Sequence, residues 1–295
     1  METVKTAVVT GSQKGIGYGI VKGLCEKFPG VVYLTAMDVN SGQEAVAKLN
    51  KLGFKPEFHQ LDITDKKSIS TFAEFMKKKH GGIDVLVNNA GICFRYDATE
   101  PFSEIAEVTV KVNYFGLLDV CEALFPLLRP NARVVNLSSL CGHLSKIPSE
   151  TLRKRFSDPN LTVDQLNVLM KEFVKSAAAG TNKDDGWGYI AYNVSKVGVS
   201  ALTIIQQRQF DTDSRPGIVV NSVHPGYVAT DMTSYKGPLT IEQGADAPLY
   251  LALLPVSPDV PKGQYVWCDR KVIKWTGDEQ LPLQTSANVV QTFST

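Results

Sequence analysis

Short β-branched runs alternate with longer amphipathic stretches along most of the chain, and no other feature restricts the available folds so severely. The runs are TAVVT (6–10), VVYLTA (31–36), FKPEFHQL (54–61), IDVLVNN (83–89), ARVVNLS (132–138), GIVVNSV (217–223) and GQYVW (263–267). Several are apolar nearly throughout, as strands covered on both faces must be. Helix-length segments lie between them, near 15–28, 41–51, 65–80, 103–127, 191–211 and 241–254. Strand and helix repeating at this spacing predict an α/β fold: a doubly wound, parallel, seven-stranded sheet built from right-handed βαβ units. No internal repeat or Pro-, Gly- or Ser-rich linker divides the chain. The expectation is one domain over 1–275, then a tail over 276–295 where periodicity is lost.

Composition narrows the class of function. With 43% hydrophobic residues, 21% charged residues and a net charge of +1, nothing favours a nucleic-acid or membrane partner. The chain has no apolar run of about 18 residues, as a membrane-spanning helix requires. METVKTAVVTG runs straight into a strand with no signal-peptide region, so a cytoplasmic protein is expected. Cys25, Cys93, Cys121, Cys141 and Cys268 are odd in number and lack CxxC spacing. They read as reduced thiols, and no metal site is expected.

The first strand leads into TGSQKGIG, with Gly11, Gly15 and Gly17 before the first helix. Glycines at such a turn let backbone N–H groups approach a pyrophosphate at a helix N-terminus; a plain βα turn would use them too. The GxxxGxG spacing differs from the GxGxxG of the commoner dinucleotide fold. Asp62 ends the third strand, where a carboxylate can accept from an adenine amine, and NNAG (88–91) ends the fourth with small residues. The carboxyl ends of parallel strands are where such sheets bind ligands.

GWGYIAYNVSK (186–196) carries two tyrosines, and only Tyr192 has a lysine four residues on. On a helix, Tyr192 and Lys196 share a face. Two unit charges about 4 Å apart interact by roughly 4 kcal/mol at an effective dielectric near 20. That corresponds to about three pKa units, enough to bring a tyrosine toward acid–base work near neutral pH. Tyr189 has Asn193 at the equivalent position and reads as lining or packing. Ser138 and Ser139 end the fifth strand, where a hydroxyl can hold a substrate carbonyl oxygen. Asn113 falls in mid-helix: either an exposed residue or one that holds a water linking the lysine to solvent.

TGxxxGxG, NNAG, Asn113, NLSS and YxxxK, in this order, resemble the short-chain dehydrogenase/reductase family over about residues 4–267. The resemblance implies a Rossmann-type sheet and a catalytic set of Asn113, Ser139, Tyr192 and Lys196. It implies a nicotinamide dinucleotide held by Gly11, Lys14, Gly15, Ile16, Gly17, Asp62, Ile63, Asn89, Ala90, Tyr192, Lys196, Val228 and Thr230. Hydride would pass to a carbonyl carbon while Tyr192 gives the proton, Ser139 orients the carbonyl, and Lys196 holds the ribose and lowers the tyrosine's pKa. Substrate contacts are expected from Phe94, Arg95, Tyr96, Ser139, Leu140 and Tyr227, with Cys93, Cys141 and Met232 nearby. This mixture of aromatic, aliphatic and sulfur groups suits quinones, aromatic ketones and reactive aldehydes.

Residues 140–191 separate Ser139 from Tyr192, far more than most family members need. Within an insertion over about 146–186, PSETLRKRFSD predicts a short basic helix. LTVDQLNVLMKEFVKSAAAG opens with a Thr162–Gln165 capping box and ends near Gly180. Its apolar residues Val163, Leu166, Leu169, Met170, Phe173, Val174 and Ala177 recur every three or four positions, so one face is to be buried. Such an insert resembles single-chain carbonyl reductases and implies a monomer whose own helix covers the surface that shorter relatives use between subunits.

Cofactor preference stays open at this stage. NADPH-preferring relatives place arginines where this chain has Met37 and Ser41, and NADH-preferring ones an acid where it has Ala36. Lys14 favours NADPH, with NADH as the alternative. An alcohol or hydroxysteroid dehydrogenase acting in the oxidative direction, and a non-catalytic nucleotide-binding regulator, are the competing functions.

Overall fold

The computed structural model describes residues 4–95, 97–277 and 281. Its strands are β1 (Lys5–Val9), β2 (Gly30–Ala36), β3 (Glu57–Gln60), β4 (Ile83–Asn88), β5 (Leu128–Leu137), β6 (Val219–Val223), β7 (Tyr265–Val266) and β8 (Val272–Ile273). Its helices are α1 (Gly15–Lys27), α2 (Val39–Lys51), α3 (Lys66–His80), α4 (Phe102–Val110), α5 (Leu117–Leu124), α6 (Glu150–Phe156), α7 (Val163–Ala179), α8 (Ala191–Phe210) and α9 (Ile241–Ala252). The sheet order is β3-β2-β1-β4-β5-β6-β7-β8, parallel through β7. The order reverses between β1 and β4, which opens a crevice at the strands' carboxyl ends.

Two expectations about elements are corrected. Among the described residues the sheet has eight strands, because β8 pairs antiparallel with β7 across a turn in which Arg270 takes φ 67°. A two-residue strand shows no alternation to read. The helix expected over 103–127 is four pieces, with a π-helical segment, Lys111–Gly116, between α4 and α5 and a 3-10 turn, Phe125–Leu127, after α5. Of the expected tail, residues 276, 277 and 281 are described, and Leu281 packs against the core.

Helices cover both sheet faces. Ile20, Leu24, Leu49 and Leu251 pack on one, and Phe72, Met76, Val120 and Leu124 on the other. The largest cluster gathers α4, α7 and α8, including Tyr114, Leu166, Phe173 and Val197. Here α7 has the expected capping box, and Gly180 takes φ 72° at its end. Its face buries Leu166, Leu169, Met170, Phe173 and Ala177. A Cβ at Gly198 would lie 2.8 Å from Met170 Sδ, so this glycine lets α7 approach α8. Tyr114 Oη donates to Asn167 Oδ1 at 2.8 Å and ties the π segment to α7. Every residue from Val194 to Thr203 is buried within this chain.

Candidate active site

The loop after β1 is shaped by close approach. Gly11 and Gly15 take φ 57° and 58°. A carbon added at Gly11 would meet Ala90 Cα at 2.8 Å, and one at Gly17 would meet Asn89 Nδ2 at 2.4 Å. Asn89 Nδ2 donates to the carbonyls of Thr10 (2.9 Å) and Gly11 (2.8 Å), which locks the β4 end to the glycine loop. Lys14, the N-cap of α1, makes no side-chain cap to the helix amides beside this cradle. Closely approached backbone at a helix N-terminus fits the pyrophosphate of a dinucleotide.

The other expected cofactor positions follow β2, β3 and β6. Asp62 Oδ1 accepts from Thr64 N and Thr64 Oγ1 at 2.8 and 2.7 Å, so that oxygen shapes the turn, while Ile63 packs buried against Gly116. At the β2 end, Met37 is exposed and Asp38 caps α2 by accepting from Ser41 N at 2.7 Å. Val228 is buried and bridges to Leu239; Thr230 lies 3.5 Å from the position of a Cβ on Gly15. Lys14 does not stand alone: its Nζ pairs with Asp231 at 2.7 Å.

The two serines separate clearly. Ser138 is buried, with its Oγ 2.7 Å from Ser200 Oγ. Ser139 is half-buried; its Oγ accepts from Cys141 N at 3.2 Å and lies close enough to Tyr192 to act on its phenol. Lys196 follows Tyr192 by one turn of α8, and its Nζ lies 5.6 Å from the Tyr192 ring centroid. A Cβ on Gly91 would sit 3.1 Å from Asn113 Oδ1 and 3.6 Å from Lys196 Nζ, so these side chains converge there.

Asn113 is 1% exposed, contrary to the exposed reading. Its Oδ1 accepts from Ile92 N at 2.8 Å, and its Nδ2 donates to Ile92 O at 2.9 Å and Ser195 Oγ at 3.1 Å. The side chain thus ties the loop after β4 to α8. The π segment turns Asn113 inward, a form common at functional sites.

The electrostatics also correct an expectation. Burial, followed by the nearby Cys141 and Cys93 thiols, raises the Tyr192 pKa; the Ser139 hydrogen bond opposes this. Burial pulls Lys196 down to about 8. The ammonium donates to Leu137 O at 2.7 Å, and desolvation outweighs the attraction expected from sequence. Burial raises both Cys93 and Cys141, which makes them poor nucleophiles.

On the substrate side, Phe94 and Leu140 are half-buried and Tyr227 is 44% exposed. Arg95 pairs with its neighbour Asp97 at 2.9 Å. Tyr96 lies outside the described residues. Tyr189 is exposed under Lys183, 5.2 Å from its ring centroid, and does not pack. Sequence reasoning missed His224 and Tyr265, which bond the backbone at Ser139 and Leu140; a His and a Tyr at adjacent strand ends were the available signal.

The model of the short chain dehydrogenase family matches residues 5–149. Carbonyl reductase (NADPH) 1 of Homo sapiens is 44% identical over 275 residues, covering 92% of this chain and 99% of that protein. The chain belongs to the short-chain dehydrogenase family. Another relative in it, carbonyl reductase (NADPH) 3 of Rattus norvegicus, is 46% identical over 274 residues, 92% of this chain and 98% of that one. Among solved structures, salutaridine reductase from Papaver somniferum superposes with a TM-score of 0.80 at 32% identity, covering 88% of this chain and 99% of that chain.

Proposed function

We propose that this short-chain dehydrogenase is an NADPH-dependent carbonyl reductase acting on aldehydes, ketones or quinones. The observation that carries the reading is the convergence of Ser139, Tyr192 and Lys196 at the strands' carboxyl edge, beside the glycine cradle. Relatives named as NADPH carbonyl reductases match nearly end to end.

NADPH, when bound, supplies the hydride. Tyr192 donates its proton to the carbonyl oxygen, and burial keeps the phenol protonated until then. The alkoxide product is a stronger base than a phenolate, so this transfer runs downhill even from a raised phenol. Ser139 hydrogen-bonds the carbonyl oxygen as charge develops. Lys196, as a cation near the Tyr192 ring, stabilises the phenolate left behind and holds the cofactor ribose. Asn113 fixes the loop carrying Ile92, and Gly11, Gly15, Ile16, Gly17, Asn89 and Ala90 line the dinucleotide. Asp62 and Ile63 would hold the adenine, Val228 and Thr230 the nicotinamide, and Phe94, Arg95, Leu140 and Tyr227 the substrate.

The covered α8 supports a monomer, since α7 already occupies a face that a second subunit would need. Among the described residues no helix is long and apolar enough to cross a membrane; we place the enzyme in the cytoplasm as one catalytic domain over residues 1–275.

Initial rates with NADPH and NADH, over a panel of quinones, aromatic ketones and aldehydes, test the reading. Turnover with NADPH is expected. A preference for NADH would mean that Met37 and Ser41 mark a change of cofactor and would favour the oxidative direction. Tyr192→Phe should lose orders of magnitude in rate while NADPH still binds; an unchanged rate would sink the assignment.

A further inference from the structure

One peptide unit in the site is held from both sides. The carbonyl of Ser139 accepts from Tyr265 Oη at 2.6 Å, and the next N–H, that of Leu140, donates to His224 Nδ1 at 2.9 Å. The two holders come from neighbouring strands. Tyr265 lies in β7, His224 follows β6, and His224 N donates to Val266 O at 2.8 Å. Both side chains are nearly sealed, at 2% and 3% exposed. Trp267 fixes their rings, with centroids 4.4 Å from His224 and 6.2 Å from Tyr265 in edge-on contact.

The turn that follows is held as firmly. Trp275 Nε1 donates to Gly142 O at 2.7 Å, and a Cβ on Gly142 would meet Ser138 Oγ at 2.0 Å. The segment carrying the Ser139 hydroxyl therefore has little room to slide or rotate.

We propose that His224 and Tyr265 are positioning residues that clamp the Ser139–Leu140 peptide and so aim the Ser139 hydroxyl at the substrate carbonyl. The proposal rests on Ser139 having the role given above. Turning this peptide would swing the Ser139 Cα–Cβ bond, and about 1 Å of misplacement in a reacting geometry costs on the order of 10²-fold in rate. The clamp also keeps its charge state. Accepting from Leu140 leaves Nδ1 unprotonated, burial pulls the His224 pKa down to about 3, and burial holds the Tyr265 hydroxyl protonated. A neutral acceptor and a neutral donor thus persist across the working pH range.

Tyr265→Phe removes one hydroxyl and keeps the ring. His224→Leu removes the acceptor, while His224→Asn offers an amide oxygen in its place. Each is made alone and combined with Ser139→Ala. The readouts are kcat with NADPH and a good aldehyde from the panel, NADPH Kd by fluorescence, and the isotope effect with 4-deuterated NADPH. The expected result is a fall in kcat of about 10- to 100-fold for Tyr265→Phe and His224→Leu, with substantial recovery in His224→Asn. NADPH Kd should stay within about twofold, and hydride transfer should become more rate-limiting. In the Ser139→Ala background the same changes should add almost nothing, because the group being aimed is gone. Unchanged kcat in Tyr265→Phe, or losses that simply multiply with Ser139→Ala, would overturn the clamp while leaving the reductase reading intact. Absence of turnover in the unaltered enzyme would overturn both.

Discussion

Lys196 stands over the ring of Tyr192, 5.6 Å from its centroid, while its proton goes to the Leu137 carbonyl at 2.7 Å. With burial pulling Lys196 down to about 8 and raising Tyr192, the lysine is the first of the pair to lose a proton as pH rises. Carbonyl reduction is expected to hold a level kcat/KM up to about pH 8 and to fall above it, as the cation that stabilises the phenolate disappears. A pH–rate profile in the reductive direction checks this. A profile still level at about pH 10 would separate Lys196 from the chemistry.

Asp231 competes for Lys14, the cation in the glycine loop that favours NADPH over NADH. It holds Lys14 Nζ at 2.7 Å and also accepts from the Tyr235 hydroxyl. Asp231→Asn should lower KM for NADPH by up to about fivefold, the ceiling for an exposed ion pair, and leave NADH unchanged. Lys14→Met should raise KM for NADPH by about tenfold, the scale of a hydrogen bond to a charged group. Equal shifts for both cofactors would show that Lys14 does not tell them apart.

Much of this arrangement is legible in the sequence because it depends on local rules. The glycine turn at Gly11 and Gly15 needs left-handed backbone, and the box at Thr162 and Gln165 needs its spacing; both stand where expected. The π segment at 111–116 was not legible, since its longer turn leaves no distinct apolar pattern over six residues. Spacing four apart on a helix reported that Tyr192 and Lys196 are neighbours. It carried no information on burial, which sets the direction of both pKa shifts. The contacts of Lys14 with Asp231 and of Leu140 with His224 join residues distant in the chain, and no local pattern encodes them.

His224 should also make the fold acid-sensitive. Its pKa is about 3 in the folded chain and near 6.5 when exposed, so between these values the unfolded chain binds the extra proton. Stability therefore is full above about pH 6.5 and declines as pH falls toward 3, by up to about 1.4 kcal/mol per pH unit. His80, also lowered by burial, adds in the same direction. Urea midpoints measured from about pH 7 to pH 4 should drop, and the slope should flatten in His224→Asn. An equally steep slope in that variant would assign the acid sensitivity elsewhere.

Arg133, the sixth of the ten residues of β5, is 4% exposed, and among the described residues it pairs with no carboxylate. Its guanidinium instead donates to the carbonyls of Leu254 (3.0 Å), Pro255 (2.6 Å), Gly217 (2.9 Å) and Asn131 (2.9 Å). These bonds fasten the chain leaving α9, and the chain entering β6, to the middle of the sheet. Arg133→Met would leave several carbonyls without a donor, each worth about 1–3 kcal/mol when buried, and local relaxation recovers part of that. A loss of about 3 kcal/mol in urea unfolding is expected, with an unchanged denaturant slope. Arg133→Lys should rescue little, because one ammonium cannot reach carbonyls spread around a planar fork. Ser139 stands beyond the carboxyl end of β5 and touches none of these carbonyls, so kcat per folded molecule should stay the same. An unaltered urea midpoint would show that these carbonyls find other donors.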